Sequence, residues 1–178
     1  MSDAAAPKSG DLSVTLATWL FILDQAGHAT AEDGIGEALE ALRDATPSEA
    51  DHRGRQLADG IAAELGPAPD FERVAAWVRT VVGANGLRTD FGGDRDSRLR
   101  AIRAGHFRSS LPWIACIIDR FPDGGVGPHW VMVERVTDRV TCMDPYPWDD
   151  LDEEYELPVV EFMVKWELAG CNALAWQG

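Results

Sequence analysis

Residues 124–148 read GGVGPHWVMVERVTDRVTCMDPYPW and hold side chains able to do acid–base chemistry. A glycine-rich loop delivers His129 to the start of an apolar run, 130–136. A short turn at Asp138 and Arg139 leads into a second run, 140–143, which ends at Asp144 and Pro145. Two antiparallel strands joined in this way bring His129 and Asp144 toward the same end of a sheet. A carboxylate there can accept a bond from an imidazole N–H and fix the tautomer, so that the other ring nitrogen serves as a base. The same residues also suit an ordinary loop histidine and a turn aspartate before proline. Trp130, Tyr146 and Trp148 flank the pair and are the candidate substrate contacts. Most of the seven tryptophans sit in apolar runs and read as core; Trp148, in PYPWDD beside Asp144, is the exception, suited either to the core or to the lining of a cleft.

Other reactive groups are few. Cys116, Cys142 and Cys171 are widely spaced, with no CxxC, which disfavours a disulfide framework or structural zinc and fits a reducing cytosol. Each lies in an apolar stretch and reads as a small buried hydrophobe. Cys116, mid-strand in PWIACII, would keep its thiol protonated. The acidic run 149–156, DDLDEEYE, lacks the glycine and alternation of a calcium loop and is expected to be a solvated, mobile loop. No metal and no cofactor is expected.

These residues need elements to position them. Val14, Leu16, Ala17, Leu20, Phe21 and Leu23 recur at helical spacing, predicting a helix over 13–25 with Asp11 or Ser13 as cap and Gly27 as stop. Further helices are expected over 31–43, 49–65, from about 69–70 with Phe71, Val74, Trp77, Val78 and Val81 on one face, and over 96–104. After Gly105 the character changes. Strands are expected over 112–118, 130–136 and 140–143, then a helix over 158–168 and a last strand over 172–176. Helices first and strands later indicate an α+β fold with a mainly antiparallel sheet. Residues 1–10 read as a flexible tail and 11–178 as one domain.

Composition limits the partners. The chain has 178 residues with 30 acidic against 16 basic, a formal charge of −14. That argues against nucleic acid, which calls for a basic footprint, and against anionic lipid. No window reaches the length of a membrane span, and the apolar run 14–23 lacks the flanks of a signal peptide. A cytoplasmic protein is expected, and the acidic balance does not say what it binds.

Taken in order, LPWIACIID (111–119), GPHWVMV (127–133) and CMDPY (142–146) resemble the papain-like cysteine peptidases that cleave double-glycine leader peptides. DSRLRAIRAG (96–105) and EFMVKWELAGCNALAW (161–176) extend the resemblance over about 95–176. It implies a papain-like α+β fold, an N-terminal helical half packed on the sheet with a cleft between, and catalytic roles for His129 and Asp144. The family's nucleophilic cysteine heads its first helix. The matching stretch here is DLSVTLATWLFILDQAG (11–27), where the cysteine position falls on Ser13 or, one residue earlier, on Leu12. The following glycine and proline and the upstream oxyanion glutamine are absent. Three functions follow as expectations: acyl transfer or hydrolysis by Ser13, His129 and Asp144; a degenerate peptidase that binds a peptide or leader segment without cutting it; or a cyclase-like tailoring enzyme using His129 as base with no nucleophile.

Overall fold

The structure is a computed structural model that describes residues 12–28, 33–103, 111–120, 124–144 and 153–177. Among these, six helices pack on a six-stranded antiparallel sheet. The helices of the first half are α1 (Leu12–Gln25), α2 (Asp33–Arg43), α3 (Pro47–Leu65) and α4 (Phe71–Val82). There follow β1 (Leu87–Arg88), α5 (Arg95–Arg103), β2 (Trp113–Arg120), β3 (Val126–Val136), β4 (Arg139–Asp144), β5 (Glu153–Pro158), α6 (Val159–Leu168) and β6 (Ala173–Trp176). The fold is α+β, and the strands run in the order β1-β6-β2-β3-β4-β5.

Local chemistry sets the helix ends. The amide of Gly27 bonds the Asp24 carbonyl and that of His28 the Leu23 carbonyl, with Gly27 at φ 78°; this paired closure stops α1 where the glycine predicted it. Pro47 opens α3 in place of the expected 49, and Glu49 reaches back to the Thr46 amide at 3.0 Å. Asp70 caps α4 by accepting from the Arg73 amide at 2.8 Å.

The sheet is covered on both faces. On one, Leu16, Trp19, Leu20 and Leu23 of α1 pack with Ile114, Met132 and Leu174, and with the buried faces of α2, α3 and α4. Trp19 donates its indole N–H to the Pro112 carbonyl at 2.9 Å, pinning α1 to the start of β2. On the other face Phe162, Met163 and Trp166 of α6 pack with Trp113, Ala115, Ile117, Val131 and Cys142, while Ile102 brings α5 onto the same core. The helical half therefore covers only one side, and α5 and α6 close the other.

Two strands correct the sequence reading. The second half of the acidic run read as a mobile loop belongs to β5, Glu153–Pro158, paired with β4 from Arg139↔Pro158 to Asp144↔Glu153. Tyr155 and Leu157 pack against the α6-side core while Glu154 and Glu156 stay exposed. This period-2 burial was hidden by the density of charge. β3 also begins earlier than expected, taking in Gly127 and Pro128. Among the described residues this stretch of β3 has a strand neighbour only on the β2 side, where Pro128 pairs with Ile118.

Candidate active site

Side chains alternate along a strand, so His129 shares the α6 face with Val131 and Val133, and Asp144 shares it with Val140 and Cys142. The register sets Met132 opposite Met143, which leaves Asp144 opposite Val131, one pair along from His129 on the same face. The two meet: His129 Nε2 and Asp144 Oδ1 are 2.7 Å apart. Both are buried, at 2% and 7% exposure. An ionised carboxylate only accepts, so the shared proton sits on Nε2 and the basic nitrogen is Nδ1. A buried, charge-assisted bond of this kind fixes ring orientation and stabilises an imidazolium once it forms.

The surroundings of the pair are mixed. Cys142 stands on the same face, and burial, reinforced by the negative charges of Asp144 and Asp119, pushes its thiol up to about 12. Burial likewise raises Cys116 to about 11, partly offset by a bond to the His129 backbone. Both thiols stay protonated at neutral pH, so neither supplies a thiolate. Asp119, on β2, shares the face with His129 and is bridged to Lys165 of α6 at 2.6 Å. Sequence reasoning did not single out these two. Asp119 had a signal, two residues beyond Ile117 on one strand face; Lys165 had none, since 46 residues separate it from Asp119.

Ser13 and Trp130 are placed in other surroundings. Ser13 is the second residue of α1, inside the first turn and not before it, and is 6% exposed. It lines a cavity of about 280 Å³ with Leu12, Ala62, Leu65, Gly66, Pro67 and Pro69; neither His129 nor Asp144 is part of that lining. Trp130, next to His129 in sequence, points to the opposite face and stacks on Phe71 of α4, centroids 6.2 Å apart. Tyr146 and Trp148 lie outside the described residues, as does Asp11. Comparison with protein-family models, with curated proteins and with solved structures finds no match to the chain.

Proposed function

We propose that this chain is a peptidase-like enzyme of papain-like architecture, of acyl-transfer, hydrolase or cyclase type, acting on a peptide or small biosynthetic substrate with His129 as general base. The observation that carries the reading is the buried 2.7 Å bond between His129 and Asp144. Asp144 holds Nε2–H, so Nδ1 takes the proton of the attacking or enolising group when a substrate brings it within ~2.6–3.2 Å. The imidazolium then formed is stabilised by the same carboxylate, and the ring returns the proton to the leaving group. The order of the motifs around 111–119, 127–133 and 142–146 supports the architecture.

Ser13 is not assigned the nucleophile's part. It lines a cavity whose lining includes neither His129 nor Asp144, and residues 1–12 hold no glutamine to serve an oxyanion. A second reading, a pseudopeptidase that binds a peptide without cutting it, draws on the absence of any cysteine in α1. A panel of peptide esters and thioesters separates them. Turnover lost in His129→Gln and kept in Ser13→Ala is the expected result. A fluorophosphonate adduct on Ser13, with turnover lost in Ser13→Ala, would make serine the nucleophile. Saturable peptide binding with no turnover by the wild-type chain would favour the pseudopeptidase.

A further inference from the structure

Among the described residues four large apolar side chains stand exposed, and three of them belong to α6. Val160, Val164 and Leu168, at 68%, 41% and 69% exposure, recur every four residues and form one ridge along the helix. The opposite side of α6 is apolar as well: Val159, Phe162, Met163 and Trp166 are buried against the sheet. A helix on a protein surface turns polar residues outward, whereas one that is apolar on both sides is covered on both sides. The sheet accounts for the inner side only. Charges border the outer ridge. Glu161 and Lys165 lie along one flank, 3.7 Å apart, with Lys165 also bonded to Asp119 at 2.6 Å. Glu167, held by Arg95 and Arg98, lies along the other.

We propose that a second copy of this chain covers the ridge, with α6 packed antiparallel on the partner's α6 about a two-fold axis at Val164. In this register Val164 meets the partner's Val164, and Val160 meets the partner's Leu168 at each end. The ridge is its own complement, as an isologous contact requires. The reversal also answers the flank charges. The same flank of each helix lies on the same side of the contact in opposite order, so Glu161 comes beside the partner's Lys165 and Lys165 beside the partner's Glu161. Antiparallel packing further sets each helix N-terminus beside the partner's C-terminus, the favourable sense of the helix dipoles. A ridge of i, i+4 residues packed on its own copy crosses it at about −50°, which confines the contact to the region around Val164. That is small beside the roughly 1,600 Å² of a standard interface, so the dimer is a weak one. The charge of −14 on each copy opposes approach. At ~0.15 M salt the screening length is about 8 Å, so distant like charges count little against the apolar ridge and the two ion pairs at the contact. This self-association stands apart from any chemistry at His129.

Sedimentation equilibrium of the full chain from about 1 µM to 1 mM, the span over which small interfaces come apart, gives the first readout. The weight-average mass is expected to rise from 19.4 kDa toward twice that value. Leu168→Glu changes an exposed position and leaves the buried side of α6 untouched; it should weaken dimerisation at least tenfold with circular dichroism unchanged. Glu161→Lys sets a cation against the partner's Lys165 and should weaken it severalfold. Cysteine pairs read the register. Under mild oxidation Val164→Cys should give a dimer on a non-reducing gel, because side chains facing each other across the axis come within the Cα separation of about 4.4–6.8 Å that a disulfide spans. Val160→Cys should cross-link to Leu168→Cys when the two are mixed, in preference to itself. Wild type, with Cys116 and Cys142 buried and Cys171 partly so, sets the background for the gel. A chain that stays at 19.4 kDa throughout overturns the proposal and leaves the ridge to a different macromolecule. A dimer that persists in folded Leu168→Glu places the contact elsewhere and overturns it too. Val164→Cys that cross-links no faster than wild type, or Val160→Cys that prefers its own copy, rules out the antiparallel pairing.

Discussion

The bond between His129 and Asp144 sets what substitution at either residue should do. Asp144→Asn keeps the volume and loses the charge that holds Nε2–H and stabilises the imidazolium. The expected loss is on the order of 10³–10⁴ in rate on whichever ester or thioester the wild type turns over, with the fold retained by circular dichroism. A change below tenfold would mean the carboxylate does not orient the base. At Ser13 the expectation differs, because the residue lies within the first turn of α1 and faces its own cavity. Ser13→Ala should leave turnover within a few-fold. The thiols make a third case. With Cys116 and Cys142 raised to about 11 and 12, iodoacetamide at pH 7.5 should label Cys171 first, the half-buried one of the three, and leave activity intact. Rapid inactivation traced by mass spectrometry to Cys116 or Cys142 would contradict this.

At the scale of elements, α6 and the β1–β6 edge carry the clearest consequences. Trp166 is fully buried, packs on Phe91, Trp113 and Phe162, and donates to the Asn172 carbonyl at 3.1 Å. Trp166→Ala should cost about 3–5 kcal/mol in urea unfolding. Gly86 stands where a Cβ would run into the Trp176 indole, so Gly86→Ala must displace the indole or the edge strand. A loss of about 1–3 kcal/mol is expected, partly recovered by adding Trp176→Leu. The tie between α6 and β2 should be pH-dependent. Burial would raise the Asp119 carboxyl, but the bond from Lys165, the Arg120 amide and the charges of Lys165 and His129 together bring it below the usual carboxylate range. A lowered folded value means the ionised form stabilises the fold above the ordinary carboxylate pKa of about 3.9, and that contribution is lost as pH falls through the folded value. The urea midpoint of Asp119→Asn should therefore lie furthest below wild type above about pH 5 and converge with it in acid. A gap that stays constant from pH 6 to pH 3 would show that Lys165 adds nothing.

For the whole molecule, charge is the dominant fact. A net charge of −14 repels polyanions, and at ~0.15 M salt the screening length of about 8 Å still leaves a negative surface. No retention on immobilised DNA at that salt is expected, and retention surviving there would reveal a local basic surface. Among the described residues no helix is long and apolar enough to cross a membrane. The two-sided sheet means the α1 face and the α6 face unfold from one shared layer. Trp166→Ala and Leu20→Ala should therefore lower the same cooperative transition.

The amino-acid sequence by itself determined the local pieces. Helical spacing, Gly27 and Pro47 marked the first three helices to within a few residues, because capping and periodicity act over one or two turns. The turn at Asp138 and Arg139 was enough to bring His129 and Asp144 together, since strands joined so tightly have little choice of partner. Tertiary structure alone decided the rest. β5 forms because β4 offers it an edge, and its glutamates had masked the alternation. Ser13 and His129 were matched by motif order, yet the body of α1 packs on one face of the sheet while His129 points to the other. Lys165 reaches Asp119 only because α6 folds back over β2. Such pairings depend on chain reversal over tens of residues, and no short window of sequence records which surfaces that reversal will bring into contact.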